Sequence, residues 1–129
     1  MLFRSEIRDG AHNSAGVAWL VERIEQVPVI VCSVLADKDV DAMLAALASR
    51  SSRLVATRSS NARALPAEAL ADAAAKHFAE VECVPDPADA LARGHELGEP
   101  VLVTGSLYLL ADLAAVRPRG LPWLGSATS

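Results

Sequence analysis

One stretch constrains the fold more than any other: Val-Pro-Val-Ile-Val-Cys-Ser-Val-Leu, residues 27–35. A strand with one wet face alternates apolar and polar residues, whereas this β-branched run is apolar almost throughout, the pattern of a strand buried on both faces. It predicts a central parallel strand, which needs helices on both sides of its sheet. "DKDVDAMLAALASR" follows, with Val40, Met43, Leu44 and Leu47 at helical spacing and Asp37 or Asp39 placed to cap the start. The strand-then-helix unit recurs. "RLVATRSS" precedes "LPAEALADAAAKHF", with Pro66 in the first turn; "VECVPDP" precedes "DPADALARGHEL"; "PVLVTG" precedes "SLYLLADLAAV". The opening "FRSEIR" adds a strand, followed by a helix from about Ser14 to Ile24 with Val17, Leu20, Val21 and Ile24 on one face. The resulting βαβαβαβαβα order predicts an α/β fold, a Rossmann-like three-layer sandwich. Its sheet is mainly parallel, of about five strands, with helices on both faces.

A chain of 129 residues fits one domain. Hydrophobic residues make up 52% but aromatics only 4%, so the core must be aliphatic. The formal net charge of -4 and the lack of a basic stripe argue against a nucleic-acid or anionic-membrane surface, which requires clustered Lys and Arg. Cys32 and Cys83 both lie in apolar segments and are expected to be buried free thiols, with neither disulfide nor metal-ligand spacing. No stretch has the apolar length of a signal peptide or a membrane span, so the expected location is cytoplasmic.

Sheets of this kind bind ligands at the carboxyl ends of their strands, which singles out "DGAHN", "ADKD", "TRSSNARAL" and "TGS". In the first, Asp9 ends the strand, Gly10 allows a sharp turn, and His12 and Asn13 stand at the mouth of a helix. Two readings stay open there: an anion site, or a capped helix with an exposed histidine. In "VTGS", Gly105 permits close backbone approach, and Ser106 is either an anion-holding hydroxyl or, as is commoner, a helix cap. Neither GxxxxGK[ST] nor GxGxxG occurs in the chain. His77 and His95, in helical segments without metal-ligand neighbours, are expected at the surface or half-buried. Asp37/Asp39 and Asp86/Asp89 suit caps and first turns, and Ser106 has no base in its own segment to form a triad.

The order of these strings carries a family resemblance. "DGAHN" (Asp9–Asn13), "LADKDVDAML" (Leu35–Leu44), "ARALPAEAL" (Ala62–Leu70), "DPADALARG" (Asp86–Gly94) and "VLVTGSLYLLADL" (Val101–Leu113) closely resemble the C-terminal domain of bacterial folylpolyglutamate synthase/dihydrofolate synthase, in the Mur ligase superfamily. The resemblance runs from about Arg8 to Val116 and implies a glutamate ligase domain over 1–116, with 117–129 as a tail. It implies an ATP-dependent amide ligase: a substrate carboxylate is phosphorylated and the amine of glutamate attacks the acyl phosphate, with magnesium and positioned donors stabilising charge. In such enzymes this domain is a lid that closes over the ATPase domain and excludes water. Carried over by motif, Asp9 resembles the acid that contacts the nucleotide. His12 resembles the residue beside the phosphate and the incoming glutamate, and Ser106 the hydroxyl that helps hold the glutamate carboxylate. Asn13 and Lys38 also match, without an assigned role.

Three departures matter. Ser14 stands where the family commonly has proline, a minor change at a helix start. The segment before "DGAHN", "RSEIR", is polar where the family has an aliphatic strand, so an exposed sheet edge is expected. The P-loop ATPase domain and the arginine-bearing segment leading from it are absent from these residues. Two expectations of different classes follow. One is a lid that works with a separate P-loop ATPase domain or subunit on glutamate and a folate, with ATP and Mg2+ held mainly by that partner; alone it turns nothing over. The other is a stand-alone, non-catalytic module binding glutamate, nucleotide or another small anion through Asp9, His12 and Ser106. The intact motifs favour the first, and an inactive remnant is the third reading.

Overall fold

The computed structural model describes residues 5–114. Strands and helices alternate strictly within them: β1 (Glu6–Arg8), α1 (Ser14–Val21), β2 (Val29–Cys32), α2 (Val40–Leu47), β3 (Arg53–Ala56), α3 (Ala67–Ala74), β4 (Glu80–Cys83), α4 (Pro87–Leu97), β5 (Val101–Thr104) and α5 (Leu107–Leu113). All pairings are parallel, and the sheet order is β1-β5-β2-β3-β4. The expected Rossmann-like sandwich is therefore present. The first helix is shorter than its apolar pattern, ending at Val21. The expected tail, 117–129, lies outside the described residues.

The apolar run around β2 is two alternations superposed. Ile30 and Cys32, with Leu102 of β5, face one cluster built from Val17 and Leu20 of α1, Met43, Leu44 and Leu47 of α2, and Leu70 and Ala74 of α3. Val29 and Val31, with Val101 and Val103, face a second cluster completed by Ala90 and Leu91 of α4 and Leu109 and Leu113 of α5. Each fully buried Leu or Met contributes roughly 1.5–3 kcal/mol, so Met43, Leu44 and Leu47, all without exposed surface, pin α2 to the sheet. Gly94 lets α4 come close: a Cβ there would lie 2.9 Å from Val31 Cγ2 and 3.1 Å from Val101 Cγ1. The caps fall where the polar residues suggested, with Asp39 accepting from the Ala42 N–H and Asp86 from that of Asp89.

The edge strands differ from the centre. β4 leaves Glu80 and Cys83 exposed and ties Glu82 to Arg93 at 2.8 Å, a charged edge that discourages strand addition. The expectation of two buried thiols is thus corrected: Cys32 is buried, its thiol pushed up to about 12 by desolvation, whereas Cys83 is exposed because β4 has one partner strand only. At the other edge Glu6–Arg8 of the polar "RSEIR" form a strand, and His95 helps to hold it. Expected at or near the surface, its side chain is 1% exposed, with Nε2 2.9 Å from Glu6 Oε2 and Nδ1 2.6 Å from Glu99 Oε2. Arg8 donates from Nε to the other Glu6 oxygen at 2.7 Å and from a terminal nitrogen to the Leu113 carbonyl at 2.9 Å. These bonds satisfy a carboxylate that would otherwise be buried at high cost, and they fasten β1 to α4 and α5. His77 is half-buried, as expected, 2.7 Å from Asp41.

Candidate functional site

β5 lies between β1 and β2, yet its helix packs on the face opposite α1 and α2. The connections from adjacent strands therefore diverge, and a crevice opens at the carboxyl end of the sheet. It measures about 450 Å³, within the range of small-molecule pockets, and His12, Leu35, Lys38, Arg63, Ser106 and Tyr108 line it.

Four loops supply these side chains. From the β1–α1 connection comes His12, exposed, with Nδ1 3.0 Å from the Gly10 carbonyl. A carbonyl only accepts, so Nδ1 is the donor in that bond and Nε2 is the nitrogen able to engage a ligand. Asn13 caps α1, its Oδ1 accepting from the Gly16 N–H at 2.7 Å. Asp9 follows β1, its N–H bonded to the Val103 carbonyl at 3.0 Å, and its carboxylate accepts from the Ala11 N–H at 2.9 Å. It braces the turn and is not among the residues lining the crevice.

Ser106 reconciles two readings. Its Oγ caps α5, accepting from the Tyr108 N–H at 3.0 Å, and the same buried side chain belongs to the crevice wall. Gly105 before it has φ +108°, and a Cβ would run into the Ser33 carbonyl, so glycine is needed for both conformation and close approach to β2. Leu107 and Tyr108, 56% and 43% exposed, form an apolar lip.

Of the motif residues, His12, Lys38 and Ser106 converge here, while Asp9 and Asn13 serve the turn behind them. Arg63 is a crevice residue that sequence reasoning passed over, although "TRSSNARAL" was correctly placed on the rim. Its carbonyl accepts from the Ala36 N–H at 2.8 Å, its N–H donates to Asn61 Oδ1 at 2.8 Å, and one guanidinium nitrogen stands 3.3 Å from Asp37 Oδ2. These bonds lay the β3–α3 loop against the β2–α2 loop. A lysine, an arginine and a histidine with no carboxylate in the lining suit an anion. Among the described residues no group of three or more His, Cys, Asp or Glu is placed to hold a metal ion. Nor is any described helix long and apolar enough to cross a membrane.

Known proteins share this fold. The family model for the Mur ligase glutamate ligase domain matches residues 5–107. Over 75 residues the chain is 44% identical to the dihydrofolate synthase/folylpolyglutamate synthase of Mycobacterium tuberculosis, a match covering 54% of this chain and 15% of that protein. Among solved structures, folylpolyglutamate synthase of the same organism, complexed with ADP and AMPPCP, superposes with a TM-score of 0.74 at 32% identity, over 86% of this chain and 30% of that one. Folylpolyglutamate synthase from Thermotoga maritima gives a TM-score of 0.72 at 28% identity, over 92% and 30% respectively. The chain thus spans less than a third of the length of these relatives. On the family-model match and these similarities, the chain belongs to the Mur ligase family and is homologous to the C-terminal, glutamate ligase domain of folylpolyglutamate synthase.

Proposed function

We propose that this domain is the lid of an ATP-dependent folate:glutamate amide ligase, completing its active site only with a P-loop ATPase domain that these residues do not contain. One observation carries the reading: the family's His12 and Ser106 meet Lys38 and Arg63 in a single crevice with no carboxylate in its lining. Glutamate is a dianion in its side-chain and α-carboxylates, and an acyl phosphate adds further negative charge. Lys38 and Arg63 offset that charge, Arg63 by the planar fork that matches a carboxylate. In this reading the Ser106 hydroxyl helps to hold the glutamate carboxylate, and His12 acts beside the phosphate and the incoming amine; that both line one crevice supports it. Asp9 acts toward the nucleotide, from the turn that also carries His12. In this reading magnesium, like most contacts to ATP, belongs to the partner domain. The apolar lip of Leu107 and Tyr108 suits closure against that domain, which excludes water from the acyl phosphate.

The test is ATP-dependent addition of glutamate to a folate by the purified chain, alone and mixed with a separately expressed ATPase domain of a family member. Activity is expected only in the mixture, and lost with Asp9→Ala and with His12→Ala. A folded chain that stays inactive in the mixture, or mutants that keep full activity, would overturn it. Binding of free glutamate or ADP by the chain alone would then favour the stand-alone module.

A further inference from the structure

We propose that Asp112 is a positioning residue for the crevice: its carboxylate locks the β3–α3 loop, and with it Arg63, to α5. Asp112 lies on α5, and Ser60 lies in the loop 52 residues earlier. The Ser60 N–H donates to one carboxylate oxygen at 2.7 Å and the Ser60 hydroxyl to the other at 2.7 Å. Both oxygens are thus engaged by one residue in a short, charge-assisted pair of bonds that fixes direction as well as distance.

The rest of the loop is pinned elsewhere. The Ser59 N–H donates to the buried Ser33 Oγ at 3.0 Å, and the Arg63 carbonyl accepts from Ala36, so these ties run to β2 and its following loop. Among the hydrogen bonds of the described residues, the Asp112 pair alone joins the β3–α3 loop to the helix that bears Ser106 and Tyr108. Those two residues and Arg63 line the same crevice. Without Asp112 the guanidinium keeps its charge but loses its fixed distance to α5, and misplacement on the order of 1 Å is enough to cost a large factor in a positioned site.

What Arg63 grips rests on the proposed function; the lock itself does not. Asp112→Ala, Asp112→Asn and, as a control, Glu82→Gln are therefore read in two ways. The control loosens a similar two-bond carboxylate pair, Glu82 with Arg93 at 2.8 and 3.0 Å, which lies away from the crevice. In native-state amide exchange, residues 58–63 should exchange faster in Asp112→Ala, less so in Asp112→Asn, and not in Glu82→Gln. In the mixture with the ATPase domain, Asp112→Ala should raise the KM for glutamate about tenfold while kcat stays within about twofold, with Glu82→Gln unchanged. Unchanged exchange at 58–63, an unchanged KM despite a loosened loop, or an equal KM rise in Glu82→Gln would each overturn the proposal. An inactive wild-type mixture counts against the proposed function instead. The lock is then judged on exchange and on NMR order at Arg63 Nε, where loss in Asp112→Ala supports it and no change overturns it.

Discussion

The two ends of the sheet handle charge in opposite ways. At the amino end, beside the first residues of β1 and β5, Glu6, Arg8, His95 and Glu99 bond to one another in a network in which Glu6 and His95 are buried. At the carboxyl end, His12 and Lys38 line an open crevice, and no side-chain hydrogen bond or ion pair of Lys38 occurs among the described residues. The same residue types thus do different work. Where partners are supplied from within, charge holds an edge strand in place; where they are withheld, charge stays open to solvent.

Histidine substitutions break the comparison most directly. His95→Ala leaves one buried oxygen of Glu6 without its partner, Arg8 holding only the other, and is expected to lower the unfolding free energy by about 3 kcal/mol. His12→Ala, at an exposed position, should change it by less than about 0.5 kcal/mol. Urea unfolding of the two variants checks both, and similar losses would mean that the ends do not differ. A second substitution sharpens the contrast within the crevice, where side chains are free but the backbone is not. Gly105→Ala places a methyl at φ +108° against the Ser33 carbonyl and should cost about 2 kcal/mol, more than any single substitution of the lining side chains His12 or Lys38.

The third histidine lies between these extremes. The hydrogen bond from His77 holds the Asp41 carboxyl below the usual aspartate range. A carboxylate with a depressed folded pKa stabilises the fold above its unfolded pKa, and that contribution is lost as pH falls through the folded value. His77→Phe should therefore raise the Asp41 pKa in an NMR titration and lower stability near neutral pH, where the contribution is present, with little change below the folded pKa, where the wild type has already lost it. The smallest effect is read by a thiol reagent on the native protein: Cys83 should label and Cys32 should not until unfolding. Burial raises the pKa of both thiols, but only Cys32 is also shielded from the reagent.

Much of this was legible in the chain. The run through Val29, Ile30 and Val31 announced a two-faced strand, and the spacing of Met43, Leu44 and Leu47 its helix. Asn13, Asp39, Asp86 and Ser106 cap the helices they precede, because a capping side chain and its N–H lie two or three residues apart. Asp9 and His12, adjacent by motif, part company in space: the first carboxylate turns to its own loop, and the second ring lines the crevice. The exposure of Cys83 had no warning in the alternation of β4, which puts it on the face of Val81; it follows from the place of β4 at the edge of the sheet. Glu99, four residues after His95, was a visible helical-spacing partner.

Glu6 was not visible, 89 residues from His95, nor was Ser60, 52 residues from Asp112. Their meeting depends on β5 returning to lie between β1 and β2, a choice among strand orders that local periodicity does not encode. The sequence by itself determined the alternating elements, their caps, the aliphatic core and the family motifs, because each rests on side chains within a few residues of one another. Which charges pair with one another and which stay open in the crevice is decided only in the folded chain, because it depends on burial and on partners brought from distant parts of the sequence.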